Sequence, residues 1–338
     1  MNFDNFPSCA NMNNDDNRHS LHLTIVIPCF NEEATLNYTT DALISHLQSL
    51  VNSNQTAIDN FSILFVDDGS IDNTWEKICS IASSAKSDIK GIKLSRNVGQ
   101  QNAIIAGLEH AIEYSDAIIT LDADLQDDVN AITEMVEKFQ DGCDIVIGIR
   151  KNRNSDSFLK KHTANLFYNL MKNTHTPVIP NHAEFRLLSK RAVKHLLEYP
   201  ERNVFLRGII PSMGFHSATV YYDRNSRKYG KSKYPLGQML NFAVEGITSF
   251  SIRPIRSIFL IGIISLFLTM SVGIYVLIAI LLGRTYPGWA SLILSIWFLG
   301  SLILVALGII GEYIGKIYME VKSRPRYFIE STVNSIKK

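Results

Sequence analysis

Over the first 150 positions of this 338-residue chain, short apolar runs alternate with stretches whose apolar residues recur at helical spacing. The runs at 23–27, 63–66, 91–94, 117–121 and 144–148 have strand length. Between them, Ile104, Ile105, Leu108 and Ile112, then Ile132, Met135, Val136 and Phe139, each line one face of a helix. Strands alternating with helices predict an α/β domain built on a mostly parallel sheet covered on both faces. Ligands of such sheets sit beyond the carboxyl ends of the strands.

The pattern changes after Arg256. No charged residue occurs at 257–283, and a second apolar run spans 288–311 with only the short turn 284–288 between them. Each run is long enough to cross a hydrocarbon core of about 30 Å, so a transmembrane hairpin is expected over 256–315. Arg253 and Arg256 precede it and Lys316, Lys322, Arg324 and Arg326 follow, against Arg284 alone in the turn. That asymmetry places both ends on the cytoplasmic side of a plasma (inner) membrane, with a multi-pass topology. The basic residues Arg224, Arg227, Lys228, Lys231 and Lys233 lead into Leu236, Met239, Leu240, Ala243, Val244 and Ile247, an amphipathic run suited to the membrane interface. The expected layout is a disordered segment at 1–20, a cytoplasmic domain at 21–232, an interfacial helix at 233–255, the hairpin at 256–315 and a basic cytoplasmic tail at 316–338. Gly311 and Gly315 have the spacing of a helix-contact motif, which leaves a homo-oligomer open.

The formal net charge of +1 gives no reason to expect a nucleic-acid partner. The chemistry lies instead at the strand ends. Polar clusters follow four of the apolar runs: Pro28 to Glu33 with Asn31 and Glu32, then Asp67 to Ser70 with Asp68, then Ser95 to Asn97, then Asp122-Ala123-Asp124. Any one of them is explained by a turn or a helix cap. Four together point to a shared crevice. Two carboxylates two residues apart after a buried strand, with Gln126 as a further oxygen donor, suit one hard cation such as Mg2+ or Mn2+. Such a cation would neutralise charge on a departing nucleoside diphosphate.

In order, TIVIPCFNEEATL (24 to 36), VDDGSIDNT (66 to 74), KLSRNVGQQNAIIAGL (93 to 108) and LDADLQ (121 to 126) resemble the family 2 glycosyltransferases. EFRLLSKRA (184 to 192), RKYGKSKYPLGQML (227 to 240) and the expected hairpin are similar to the polyisoprenyl-phosphate subgroup, relatives of dolichol-phosphate mannose synthase and the bactoprenol glucosyltransferases. The resemblance covers about residues 22 to 325. It implies a GT-A nucleotide-binding sheet and inverting transfer from a nucleotide sugar, UDP-glucose or UDP-N-acetylglucosamine, to a polyisoprenyl phosphate. It further implies that Pro28, Asn31, Glu32, Asp67, Asp68, Asn97, Asp122 and Ala123 line the nucleotide. Asp122, Asp124 and Gln126 match the metal positions. Asp124, Glu184, Arg186, Arg227, Lys231 and Lys233 match the groups around the transferred sugar and the acceptor phosphate.

Three positions depart from the family pattern. Asp127-Asp128-Val129 stands where many relatives have Asp-Pro-Pro; Glu184 stands where Asp is common; and Val98-Gly99-Gln100-Gln101 replaces Phe-Gly-Lys or a His, which bears on how the diphosphate is held. A lipid phosphate is ionised near neutral pH, so the subgroup's reaction requires no general base. Glu184 is then either an organiser of Arg186 and a sugar hydroxyl or a proton acceptor. A polysaccharide synthase with a hydroxyl acceptor would carry QxxRW and further spans, both missing from the sequence; a non-catalytic nucleotide-sugar-binding scaffold is the other alternative.

Overall fold

A computed structural model describes residues 21–53, 58–85, 87–151, 182–202, 204–223, 253–282 and 288–335. The apolar runs fold as β1 (Leu21–Cys29), β2 (Ile58–Asp67), β3 (Asp88–Leu94), β4 (Ala117–Thr120) and β5 (Ile145–Arg150). Four helices intervene: α1 (Leu36–Asn52), α2 (Thr74–Ser84), α3 (Gln100–Ala111) and α4 (Ala131–Gln140). Then come β6 (His182–Ser189), α5 (Lys190–Leu197), α6 (Leu206–Ser212) and β7 (Ser217–Tyr222). Two long helices, α7 (Arg253–Leu281) and α8 (Trp289–Lys322), precede a last strand, β8 (Ile329–Asn334).

The eight strands form one sheet in the order β7-β5-β6-β4-β1-β2-β3-β8. Strand alternation sends successive side chains of β1 to opposite faces. Leu23, Ile25 and Ile27 cluster with Ile63 and Phe65 of β2, with Leu36, Leu43 and Leu47 of α1 and with Ile132, Met135 and Val136 of α4. On the other face, Val26 and Val66 meet α3, where a Cβ at Gly107 would lie 2.4 Å from Val26 Cγ1. Glycine therefore lets α3 rest directly on β1 and β2. Each large apolar side chain fully buried in these layers contributes roughly 1.5–3 kcal/mol.

The sheet is more mixed than the sequence pattern predicts. β1 pairs in parallel with β2 and β4, β2 with β3, and β5 with β7, but β6 enters antiparallel between β4 and β5. β8 closes the far edge antiparallel to β3. The segment expected as a tail at 316–338 is thus revised: α8 runs on to Lys322, and 329–334 is sheet.

The chain divides into two compact units, Met1–Asn169 with Pro177–Pro235 and Arg324–Lys338, and Leu170–Thr176 with Leu236–Ser323. The first carries the sheet. In the second, one stretch among the described residues, Ser295–Lys322, is long and apolar enough to cross a membrane, while the apolar part of α7, Leu260–Tyr275, is shorter. One such helix falls short of the two-span hairpin expected over 256–315. The interfacial helix expected at 233–255, except its last residues at the start of α7, and the basic residues Arg227, Lys231 and Lys233 lie outside the described residues.

Candidate active site

The loops after β1 and β2 are joined to each other. Asn31, in the left-handed region at φ 54°, donates its N–H to Ser70 Oγ at 2.9 Å, and its own Oδ1 accepts from Ile71 N–H at 3.0 Å. The Glu32 N–H donates to Thr74 Oγ1 at 2.9 Å. Thr74 opens α2, so the start of that helix fixes the loop that carries Pro28, Asn31 and Glu32.

Asp67 and Asp68 are buried at the end of β2. Asp67 Oδ1 accepts from Ser70 N–H at 3.1 Å, while Oδ2 is buried without a hydrogen-bond partner among the described residues. Asp68 accepts from the N–H groups of Val98 at 2.7 Å and Gly99 at 3.0 Å. Asn97 Oδ1 also accepts from Gly99 N–H, at 3.2 Å. Desolvation, reinforced by Asp67 and opposed by those two N–H groups, lifts the Asp68 carboxyl to about 6. Gly69 makes the close approach of these loops possible: its φ is 65°, and a Cβ there would lie 2.5 Å from the Arg96 carbonyl carbon.

Beyond β4, Asp122 Oδ1 accepts from Gln100 Nε2 at 2.7 Å. Desolvation, then Asp127, then Asp124, push the Asp122 carboxyl up to about 6. Ala123 is buried and its carbonyl accepts from Thr39 Oγ1 at 2.7 Å; the Gln126 N–H donates to Asp124 Oδ1 at 3.3 Å. Asp127 is held from the side by Arg150 Nη2 at 3.1 Å and by the Tyr222 hydroxyl at 2.7 Å. Asp122, Asp124 and Gln126 bring two carboxylates and a neutral amide together in one short stretch, a donor set that fits one divalent cation. Among the described residues no group of three or more His, Cys, Asp or Glu is arranged as a metal cluster.

Alternation along β6 puts Ala183, Phe185 and Leu187 into the core cluster, so Glu184 and Arg186 share the opposite face, both buried. Glu184 pairs with Arg186, and its Oε1 accepts from Arg207 Nε at 2.8 Å and from Gln101 Nε2 at 3.0 Å. Arg186 Nε and Nη1 are buried without hydrogen-bond partners among the described residues. Burial and the nearby Arg207 draw the Arg186 guanidinium down to about 9, against the pull of Asp122. Arg207 and Arg150 also act on Asp122 across the crevice.

The sequence-expected residues thus fall into one set in the loops after β1, β2 and β3 (Asn31, Glu32, Asp67, Asp68, Asn97) and a second set that unites Asp122 and Asp124 with Glu184 and Arg186. Gln100, Gln101, Asp127, Arg150 and Arg207 belong with the second set and were absent from the sequence expectation. The unusual Val98-Gly99-Gln100-Gln101 and Asp127-Asp128-Val129 stretches were the visible signs of Gln100, Gln101 and Asp127.

Residues 24–197 match the family described as Glycosyl transferase family 2. An uncharacterised glycosyltransferase of Bacillus subtilis (strain 168), YkoT, is 51% identical over 308 residues, 91% of each chain. The bactoprenol glucosyl transferase of Shigella phage SfX is 37% identical over 313 residues, 92% of this chain and 99% of that one. The prophage bactoprenol glucosyl transferase homolog of Escherichia coli (strain K12) is 36% identical over 314 residues, 92% of this chain and 99% of that one.

Proposed function

Because the chain belongs to glycosyl transferase family 2, we propose that it moves a sugar from a nucleotide sugar to a polyisoprenyl phosphate such as undecaprenyl phosphate. The observation that carries this reading is one crevice with two opposite demands. Asp122, raised by desolvation and then by Asp127 and Asp124, calls for a cation; the part-exposed Arg207, with the buried Arg186 and its two unpartnered nitrogens behind it, calls for an anion. A nucleoside diphosphate leaving toward the first and a phosphate arriving at the second satisfy both. Near-full-length similarity to bactoprenol glucosyl transferases supports a lipid phosphate as that acceptor.

In this reading the unpartnered Asp67 Oδ2 accepts from the ribose or base, and Asp68 keeps the 97–99 loop against the nucleotide. Asp122, Asp124 and Gln126 would hold a divalent cation, Mg2+ or Mn2+, which would supply charge neutralisation for the leaving diphosphate. Arg207, with the buried Arg186 behind it, orients the attacking phosphate oxygen behind the anomeric carbon, with inversion of configuration. The nucleophile arrives ionised, so Glu184 has no proton to take. Paired with two guanidiniums, Glu184 acts as the organiser. Arg227, Lys231 and Lys233, outside the described residues, are proposed to close over the phosphate.

The exposed apolar side chains of α8, Trp297, Leu304 and Val305 among them, are suited to lipid. α8 is therefore proposed to anchor the chain in a membrane, with its basic C-terminal flank, Lys316, Lys322, Arg324 and Arg326, on the cytoplasmic side. The preferred donors are UDP-glucose and UDP-N-acetylglucosamine. Purified protein in detergent with Mn2+ is expected to release UDP from one of them at least tenfold faster when undecaprenyl phosphate is added. Release that the lipid does not accelerate with any donor would contradict the acceptor assignment.

A further inference from the structure

Four consecutive residues, Val98 to Gln101, hold carboxylates from three strands or the loops that follow them. Val98 and Gly99 N–H serve Asp68 beyond β2, Gln100 serves Asp122 beyond β4, and Gln101 serves Glu184 on β6. Gln101 also uses the other end of its amide, for Oε1 accepts from Leu206 N–H at 3.1 Å. Leu206 opens α6, and Phe205 before it supplies no side-chain cap, so this bond satisfies one of the first-turn donors that a helix leaves unpaired. The next residue of α6 is Arg207, whose Nε donates to the same Glu184 oxygen that Gln101 reaches. Gln101, Glu184, Arg207 and Leu206 therefore close a ring across α3, β6 and α6.

We infer that Gln101 is a positioning residue for sugar transfer: through this ring it fixes Glu184, and with it the acceptor side, relative to the Asp122 side held by Gln100. The inference rests on the transfer reading above. Glu184 is 3% exposed, so its charge depends on the donors around it. Arg186 is locked in the interior, but the Arg207 side chain is 42% exposed. Without the Gln101 amide, Oε1 is left to an arginine at the crevice mouth, on a helix that has lost its cap. A shift of about 1 Å between the reacting groups costs on the order of 100-fold in rate.

Two substitutions separate positioning from capping. Gln101→Met removes both bonds. Gln101→Glu keeps an acceptor for Leu206 N–H but faces Glu184 with a second carboxylate in place of a donor. The full chain in detergent is assayed with undecaprenyl phosphate and the donor the wild type uses, and thermal unfolding is followed in parallel. Both variants are expected to lose about 10- to 100-fold in kcat, with donor KM unchanged and a cooperative unfolding transition retained. Wild-type kcat in Gln101→Glu would overturn the inference whatever Gln101→Met does, since the amide would then only cap α6. A loss seen wholly in donor KM would overturn it too. If Gln101→Met fails to fold, Gln101→Glu decides. If the wild type makes no lipid product, the transfer reading fails alone, and metal-dependent hydrolysis of the nucleotide sugar reads the same pair: unchanged hydrolysis overturns the positioning role and a matching loss sustains it.

Discussion

Asp68 shows how a single side chain couples loop geometry to charge. Its carboxylate secures the N–H groups of Val98 and Gly99, yet burial and Asp67 raise its pKa to about 6. Between the unfolded value near 3.9 and about 6, the folded protein holds a proton that the unfolded chain has released, so stability falls as pH rises through that window. The effect is complete above it, on the order of 3 kcal/mol. Asp68→Asn removes this titration. In the absence of donor, the wild-type Tm relative to that of Asp68→Asn is expected to fall between pH 4.5 and 7; a gap that stays constant or widens in favour of wild type would contradict the assignment. Residues of this kind were legible when they were neighbours in sequence, as Asp67-Asp68 and Asp122-Ala123-Asp124 are. Arg150 and Gln101 were not, because their partners Asp127 and Glu184 lie 23 and 83 positions away and only the sheet brings them together.

At the scale of elements, the five buried strands of the first half announced themselves through apolar runs, and β6, β7 and β8 did not. β6 carries Glu184 and Arg186 in its centre, so its alternation of core and crevice reads in sequence as a polar motif. β8 is half exposed and has little apolar signal to offer. Its attachment is nonetheless extensive. It pairs with β3, Ser95 N–H donates to Phe328 O at 3.0 Å just where the 95–99 loop begins, and Arg326 donates to the carbonyls of Tyr199 and Glu201. Val333 packs over Gly91, where a Cβ would lie 2.9 Å from Val333 Cγ1. Ending the chain after Ser323 is expected to lower the Tm clearly, at about 1 kcal/mol net for each hydrogen bond lost, and to expose the β3 edge to aggregation. An unchanged Tm would show that β8 is dispensable to the sheet.

The whole molecule joins two kinds of surface in one chain, a sheet with a charged crevice and long helices with apolar sides facing outward. Composition alone marked the change near Arg256, because charge vanishes there. The number of spans was less legible, since length and hydropathy read along the sequence set no helix boundaries, and one stretch among the described residues meets the requirement for crossing. On the proposed reading, one chain that carries both a nucleotide-sugar site and an apolar anchor suits a lipid-phosphate acceptor, whose phosphate stays at the interface while its chain stays in the bilayer. The most direct measurement follows a radiolabelled UDP-sugar into the organic-solvent extract of membranes that contain the chain and undecaprenyl phosphate, for wild type and for Asp124→Ala. The account predicts a labelled lipid from wild type that disappears with EDTA, returns with Mn2+ and falls by at least 100-fold in Asp124→Ala. Equal labelling by the two proteins, or a labelled product that stays in the aqueous phase, would contradict it.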